Sequence, residues 1–177
     1  MVSTWGTVCV GIISSLSALI ACWMANKSAE KRLDKQIELE RQREWQKVRI
    51  GKAEEIYASL IKFNSLIFST HMQWVSFARK ETTLDKMVEN IEAQPKNDAP
   101  LMKARIGVYF PELLPDFIEI KNLTEPANKC YFSMVSGKNI DDAERREFIK
   151  IIFESNERFI AGIDSLLAKL SNKISEQ

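Results

Sequence analysis

The hydrophobic and polar positions of the chain divide it into three regions. No residue from Thr4 to Ala25 carries a charge, whereas charges of both signs dominate residues 26–52. From residue 53 onward, apolar residues return every three or four positions, which is typical of amphipathic α-helices. We therefore predict an all-α protein, with an N-terminal transmembrane helix (4–25), a charged helical stalk (26–52) and an antiparallel four-helix-type bundle (53–177).

The uncharged N-terminal segment has the length of a membrane span. A helix over its twenty-two positions is about 33 Å long, and a hydrocarbon core is about 30 Å thick. Trp5 and Trp23 lie near its two ends, where indole rings favour the level of the lipid headgroups. The segment therefore predicts a membrane anchor, with the lipid bilayer as its partner.

The charges that follow the segment predict its orientation. Lys27, Lys31, Arg32 and Lys35 come within a dozen residues of its end, and no charged side chain precedes it. Cytoplasmic flanks of membrane helices carry an excess of lysine and arginine. We expect a single-pass protein of the inner (plasma) membrane with its C-terminal domain in the cytoplasm.

A second interpretation of the same segment is a lipoprotein signal. Leu19, Ile20, Ala21 and Cys22 resemble the short motif that precedes the lipidated cysteine of bacterial lipoproteins. Such signals begin with a basic region, which this sequence lacks. The uncleaved anchor is therefore favoured, and lipid attachment at Cys22 stays open.

Small residues follow one face of the predicted span. Gly11, Ser15, Ala18, Cys22 and Ala25 are spaced by alternating steps of four and three residues. Small residues on one face let two membrane helices approach closely. The stripe predicts homo-oligomerisation through the anchor, although small residues are also common in membrane helices that do not pair.

The rest of the chain reads as a series of helices. In the stalk, Leu33, Ile37 and the apolar residues that follow are too sparse for a sustained heptad repeat. The predicted bundle helices span residues 53–79, 84–91, 101–110, 113–134 and 141–170. Pro126 should kink or split the fourth of these helices, and Gly137 should stop it.

The last helix has the clearest pattern. Asp141 or Asp142 can cap its start. One apolar stripe then continues to near its end, formed by Phe148, Ile152, Phe159, Ile163, Leu166 and Leu170. The bundle core also explains four aromatic residues better than a binding cage does: Tyr109, Phe110, Tyr131 and Phe132.

Candidate catalytic, cofactor-binding and metal-binding residues are missing from the sequence. His71 is the single histidine, and Phe68 occupies the position three residues before it, where a di-metal bundle would place glutamate. The cysteines, Cys9, Cys22 and Cys130, form no metal-binding pair. No glycine-rich phosphate loop or nucleophile turn is present. We predict no enzyme and no cofactor.

The overall charge gives no reason to expect nucleic acid, because 25 lysines and arginines face 24 aspartates and glutamates. Residues 104–113, ARIGVYFPEL, together with the succession of anchor, stalk and bundle, resemble small uncharacterised single-pass membrane proteins of bacteria and their phages. The resemblance implies no site residue. We expect a membrane-tethered interaction protein (an adaptor, sensor or regulatory module) with an unknown protein partner. The alternative is a membrane-acting effector, such as a phage-defence or exclusion protein whose anchors oligomerise.

Overall fold

The computed structural model describes residues 4–96, 98–136 and 140–175, with side chains described from Ser14 onward. Its helices are α1 (Thr4–Ala78), α2 (Leu84–Glu92), α3 (Ala99–Tyr109), α4 (Leu114–Asn122), α5 (Glu125–Val135) and α6 (Asp142–Ser175), with a short 3₁₀ helix (Pro111–Leu113) before α4. These ranges contain no strand, which confirms the all-α prediction. The chain divides into two compact units, one that ends at Val48 and one that begins at Arg49.

The first unit is helical, and every side chain from Ser14 to Val48 is exposed. Within the part of the chain that the structure describes, no helix combines the length and the apolar character that crossing a bilayer requires. This finding does not support the predicted span over residues 4–25. The side chains of the first ten span positions, which include Trp5 and Gly11, lie outside the described residues.

Capping residues explain where two helices of the second unit begin. The Thr83 side chain accepts a hydrogen bond from Lys86 N at the start of α2. The carboxylate of Asp141 accepts bonds of 2.8 Å from the backbone amides of Ala143 and Glu144, and Glu144 accepts one from Asp141 N at 3.2 Å. Such reciprocal bonds satisfy amides that have no partner within the helix, so they fix the first turn of α6.

The helix predicted over residues 113–134 is split into α4 and α5. Leu123 and Thr124 separate the two helices, and Thr124 Oγ1 donates a bond of 2.9 Å to Lys121 O. Pro126 lies in the first turn of α5, where its missing N–H costs no hydrogen bond. The proline therefore splits the segment instead of kinking it. Gly137, the predicted stop, lies outside the described residues, and α5 ends at Val135.

Two apolar clusters hold the second unit together. The first joins residues 53–67 of α1 with α3, the 3₁₀ helix, α4 and α6, and Phe63, Phe117 and Phe159 meet within it. The second joins the end of α1 with α2, α5 and α6. A side chain added at Gly162 would come within 2.8 Å of Ile120 Cγ1, so glycine permits α6 to approach α4 closely.

Candidate functional site

A groove of about 570 Å³ lies between α1 and the segment that links α2 to α3. Ser59, Lys62, Leu66 and Ser69 contribute the α1 side. Their spacing of three and four residues places these side chains on one face of the helix. The groove belongs entirely to the unit that begins at Arg49, and its volume is within the usual range for sites that bind small molecules.

Polar contacts between helices border the groove along α1. Before Ser59, Arg105 of α3 lies 3.4 Å from the carboxylate of Glu55. That carboxylate also accepts a hydrogen bond of 2.6 Å from Lys52, which lowers the pKa of Glu55. These contacts tie α3 to α1 at that border.

The opposite border is formed by the segment that follows α2. Gln94 Nε2 donates a bond of 3.0 Å to Ser69 Oγ, and Thr70 Oγ1 donates one of 3.1 Å to Gln94 Oε1. Within α2 itself, Asn90 Nδ2 donates a further bond to Gln73 Oε1. Gln94 uses both amide atoms in this way, which fixes the position of the segment beside α1.

The groove combines an apolar floor with a polar rim. Phe63 and Met102, which are both buried in the protein core, contribute to the floor. Lys62 and Lys96 lie at the rim, and neither forms an ion pair within the described ranges. Asp98 is the one acidic residue among the lining residues. The lining therefore carries one more positive charge than negative.

Sequence reasoning did not find this groove. The signal was present, because serines and a lysine recur on one face of α1 beside an apolar stripe. That pattern also fits a solvent-exposed helix face, and only the packing of residues 94–96 and 98–102 shows that the face is partly covered. Asn97, within this segment, lies outside the described residues.

His71 is buried in the second unit and lies outside the groove. Its Nδ1 atom is 3.3 Å from Asn156 Oδ1 of α6, and its ring centre is 5.0 Å from that of Trp74. Trp74 stacks in turn on Tyr131, at 4.7 Å between ring centres. Burial lowers the pKa of His71 below its ordinary value of 6.5, and the bond with Asn156 opposes that shift. The arrangement is that of a neutral histidine within the core.

We expect the burial of His71 to make the second unit less stable in mild acid. Because the pKa of His71 is lower in the folded state, the unfolded state binds a proton more readily. The free energy of unfolding is therefore highest above pH 6.5 and decreases as the pH falls from there through the folded-state pKa. The loss reaches at most about 1.4 kcal/mol for each pH unit. Urea unfolding of the full-length protein at pH 7.5 and 5.5 measures it.

The variant H71Q supplies the control for this pH dependence. Its amide can still bond to Asn156 but does not titrate, so the difference between pH 7.5 and 5.5 should shrink. The pKa values of carboxylates such as Glu55 and Asp142 are lowered from their ordinary values of 4.5 and 3.8. These groups stay ionised between pH 7.5 and 5.5, so they contribute little to the difference in stability. An unchanged difference in H71Q would assign the effect to another group.

Cys130 is not activated for chemistry. Its side chain is buried, and burial raises the pKa of the thiol, with a smaller contribution from the negative charge of Glu147. A thiol in this state is a weak nucleophile. No group of three or more histidine, cysteine or acidic side chains that could hold a metal ion occurs in the ranges that the structure describes.

The motif at residues 104–113 has a structural role at the turn between α3 and α4. Phe110 is buried, and the Arg49 guanidinium lies 5.0 Å from the centre of its ring. Arg49 also lies 3.8 Å from the carboxylate of Glu112. Both contacts hold the turn against α1, which accounts for the aromatic and acidic positions of the motif without a ligand.

The anchor residues that the structure describes lie on an exposed helix surface. Ser15, Ala18, Cys22 and Trp23 are exposed, and the Lys27 ammonium lies 4.8 Å above the Trp23 ring. Lys31, Arg32 and Lys35, the other charges predicted to set the orientation, are exposed too. None of these residues lines the groove.

Comparisons with protein-family models, with curated proteins and with solved structures give no match for this chain. The fold places the chain in the class of all-α proteins.

Proposed function

We propose that this chain is a single-pass membrane protein in which a charged helical stalk carries an antiparallel helical bundle that acts by binding a partner. Residues 4–25 form the anchor, and the unit that begins at Arg49 provides the interaction module. The bundle is assigned no catalytic step, because its histidine is buried in the core and the pKa of its buried thiol is raised.

The observation that carries the proposal is the exposure of large apolar side chains near the N-terminus. Leu16, Leu19 and Trp23 are 58%, 68% and 61% exposed, and Ile20 and Met24 are exposed as well. At 100° per residue these side chains share one side of α1. A cluster of this kind on a helical segment without charges is stabilised by contact with lipid and not by contact with water.

The opposite side of the same segment favours contact between helices. Ser15, Ala18, Cys22 and Ala25 lie there, and all are exposed. Large side chains that face lipid and small ones that face a neighbouring helix are the usual arrangement of paired membrane helices. The proposal therefore includes a homo-oligomer through the anchor.

The basic residues after the anchor support a cytoplasmic bundle. Lys27 lies over the ring of Trp23, which combines an aromatic residue and a positive charge at the predicted membrane boundary. Lys31, Arg32 and Lys35 follow on the exposed helix surface. Each can attract anionic headgroups by about 1 kcal/mol near the membrane surface.

Topology reporters test this orientation. A reporter fused after Gln177 should be active in the cytoplasm, and activity in the periplasm or outside the cell would contradict the proposal. The variant C22S should keep its membrane association, because an uncleaved anchor does not depend on a lipid at this cysteine. Release of C22S into the soluble fraction would favour the lipoprotein interpretation instead.

A further inference from the structure

We propose that the groove between α1 and the α2–α3 segment binds a small organic anion that has an apolar body. The site lies wholly within the second unit. The inference therefore goes beyond membrane tethering and does not depend on it.

The charge at the groove rim favours an anion. Lys62 and Lys96 both line the groove without a carboxylate partner in the described ranges, whereas Arg105 and Lys52 nearby are engaged by Glu55. Ammonium groups without an ion pair can donate to a phosphate, sulfonate or carboxylate. Asp98 offsets one of the two positive charges, which suits a ligand with a single anionic head.

Hydroxyl groups also line the groove and supply a further donor. Ser59, Ser65 and Ser69 all line the groove from α1. The Ser59 hydroxyl donates to the backbone oxygen of Glu55, and that of Ser69 accepts from Gln94. Since Ser69 Oγ only accepts in that contact, its own proton is available for an anionic head.

The apolar floor explains why an inorganic ion alone would not fill the site. Phe63 and Met102 are buried lining residues, Leu66 is half-buried, and Ile61, which is 47% exposed, adds further apolar surface. The volume of about 570 Å³ is far larger than a phosphate ion needs. Covering this surface with an apolar body removes it from water, which stabilises the complex.

Methyl signals of labelled methionines can detect a ligand at this site. The protein has six methionines. Met102 lines the groove, whereas Met87 and Met134 belong to the second apolar cluster and serve as internal references. The full-length protein is incorporated into phosphatidylcholine nanodiscs and titrated with 1-naphthyl phosphate. We expect a saturable shift of the Met102 methyl signal, while those of Met87 and Met134 stay in place.

Two further probes separate the contributions of head and body. Inorganic phosphate has the anionic head alone, and 1-naphthylmethylamine combines the same ring system with a positive charge. Both should bind at least tenfold more weakly than 1-naphthyl phosphate. Equal binding of the amine would overturn the proposal, because an apolar groove without charge selection would accept either probe.

Matched variants test the lysines. In K62Q/K96Q the affinity for 1-naphthyl phosphate should fall about tenfold, in keeping with the loss of charge-assisted hydrogen bonds. The control K121Q/K150Q removes two exposed lysines outside the groove and makes the same change in net charge. It should retain the original affinity.

Nanodiscs that contain phosphatidylglycerol distinguish a lipid from a soluble source of the anion. A Met102 shift in these discs without any added probe would show that a lipid supplies the anion, whereas a shift with the soluble probe alone assigns the site to a free ligand. If Met102 does not shift with either source, or if K62Q/K96Q binds as tightly as the control pair, the proposal is wrong.

Discussion

Replacing Phe159 by alanine should lower the free energy of unfolding of the second unit by about 3–5 kcal/mol. Phe159 is 0% exposed, and its ring contacts that of Phe63 edge to face, with 5.5 Å between ring centres. Phe63 in turn lies 6.2 Å from the ring of Phe117. Removal of the central ring therefore opens a cavity among α1, α4 and α6 that surrounding side chains fill only in part.

Urea unfolding of the full-length protein, followed by tryptophan fluorescence to which the buried Trp74 contributes, measures this loss. The control is F132A, which makes the same substitution at a side chain that is 66% exposed, so it should cost less than about 1 kcal/mol. Comparable losses in F159A and F132A would contradict the packing described for α6.

The sequence predicted the buried faces of the second unit well. The stripe assigned to the last helix, which includes Phe159, Ile163 and Leu170, is buried along α6. This prediction succeeded because a helix can bury only one face in a single layer, and the period of its apolar residues marks that face. The helix start was likewise predicted at Asp141 or Asp142, and the structure shows that Asp141 is the capping residue.

Features that depend on contacts between distant segments were not predicted. The pairs Gln94 with Ser69 and Arg105 with Glu55 border the groove, and each joins residues far apart in the sequence. No local pattern specifies such a pairing. The burial of His71 also depends on a distant segment, because its partner Asn156 lies on a helix 85 positions further along the chain.

At Phe132 the prediction was wrong, because a side chain expected in the core is exposed. Tyr131 and Phe132 were both expected in the bundle core, yet adjacent positions on a helix point about 100° apart. Tyr131 stacks on Trp74, whereas Phe132 is exposed. Aromatic composition alone therefore overestimated the core at this position.

Charges placed within residues 4–25 should detach the protein from the membrane. Leu16 and Ile20 lie on the exposed apolar side of α1. An arginine near the centre of a membrane helix costs roughly 2.5–3.5 kcal/mol on scales based on insertion experiments. The double variant L16R/I20R should therefore lose about 5–7 kcal/mol of insertion free energy if the two costs add, and most of the protein should leave the membrane.

A matched control is available on the same helix. Leu33 and Ile37 have the same spacing, are 56% and 55% exposed and lie within the charged region, so L33R/I37R introduces identical charges beyond the proposed anchor. This variant should stay in the membrane fraction. It separates the effect of charge at the anchor from that of added positive charge in general.

Alkaline carbonate extraction of cell membranes tests the central claim most directly. Integral proteins stay in the pellet under this treatment, whereas proteins held only by surface contacts are released. We predict that the wild-type chain and L33R/I37R remain in the pellet and that L16R/I20R appears in the supernatant. Release of the wild-type chain, or retention of L16R/I20R to the same extent as the wild type, would contradict an anchor at residues 4–25.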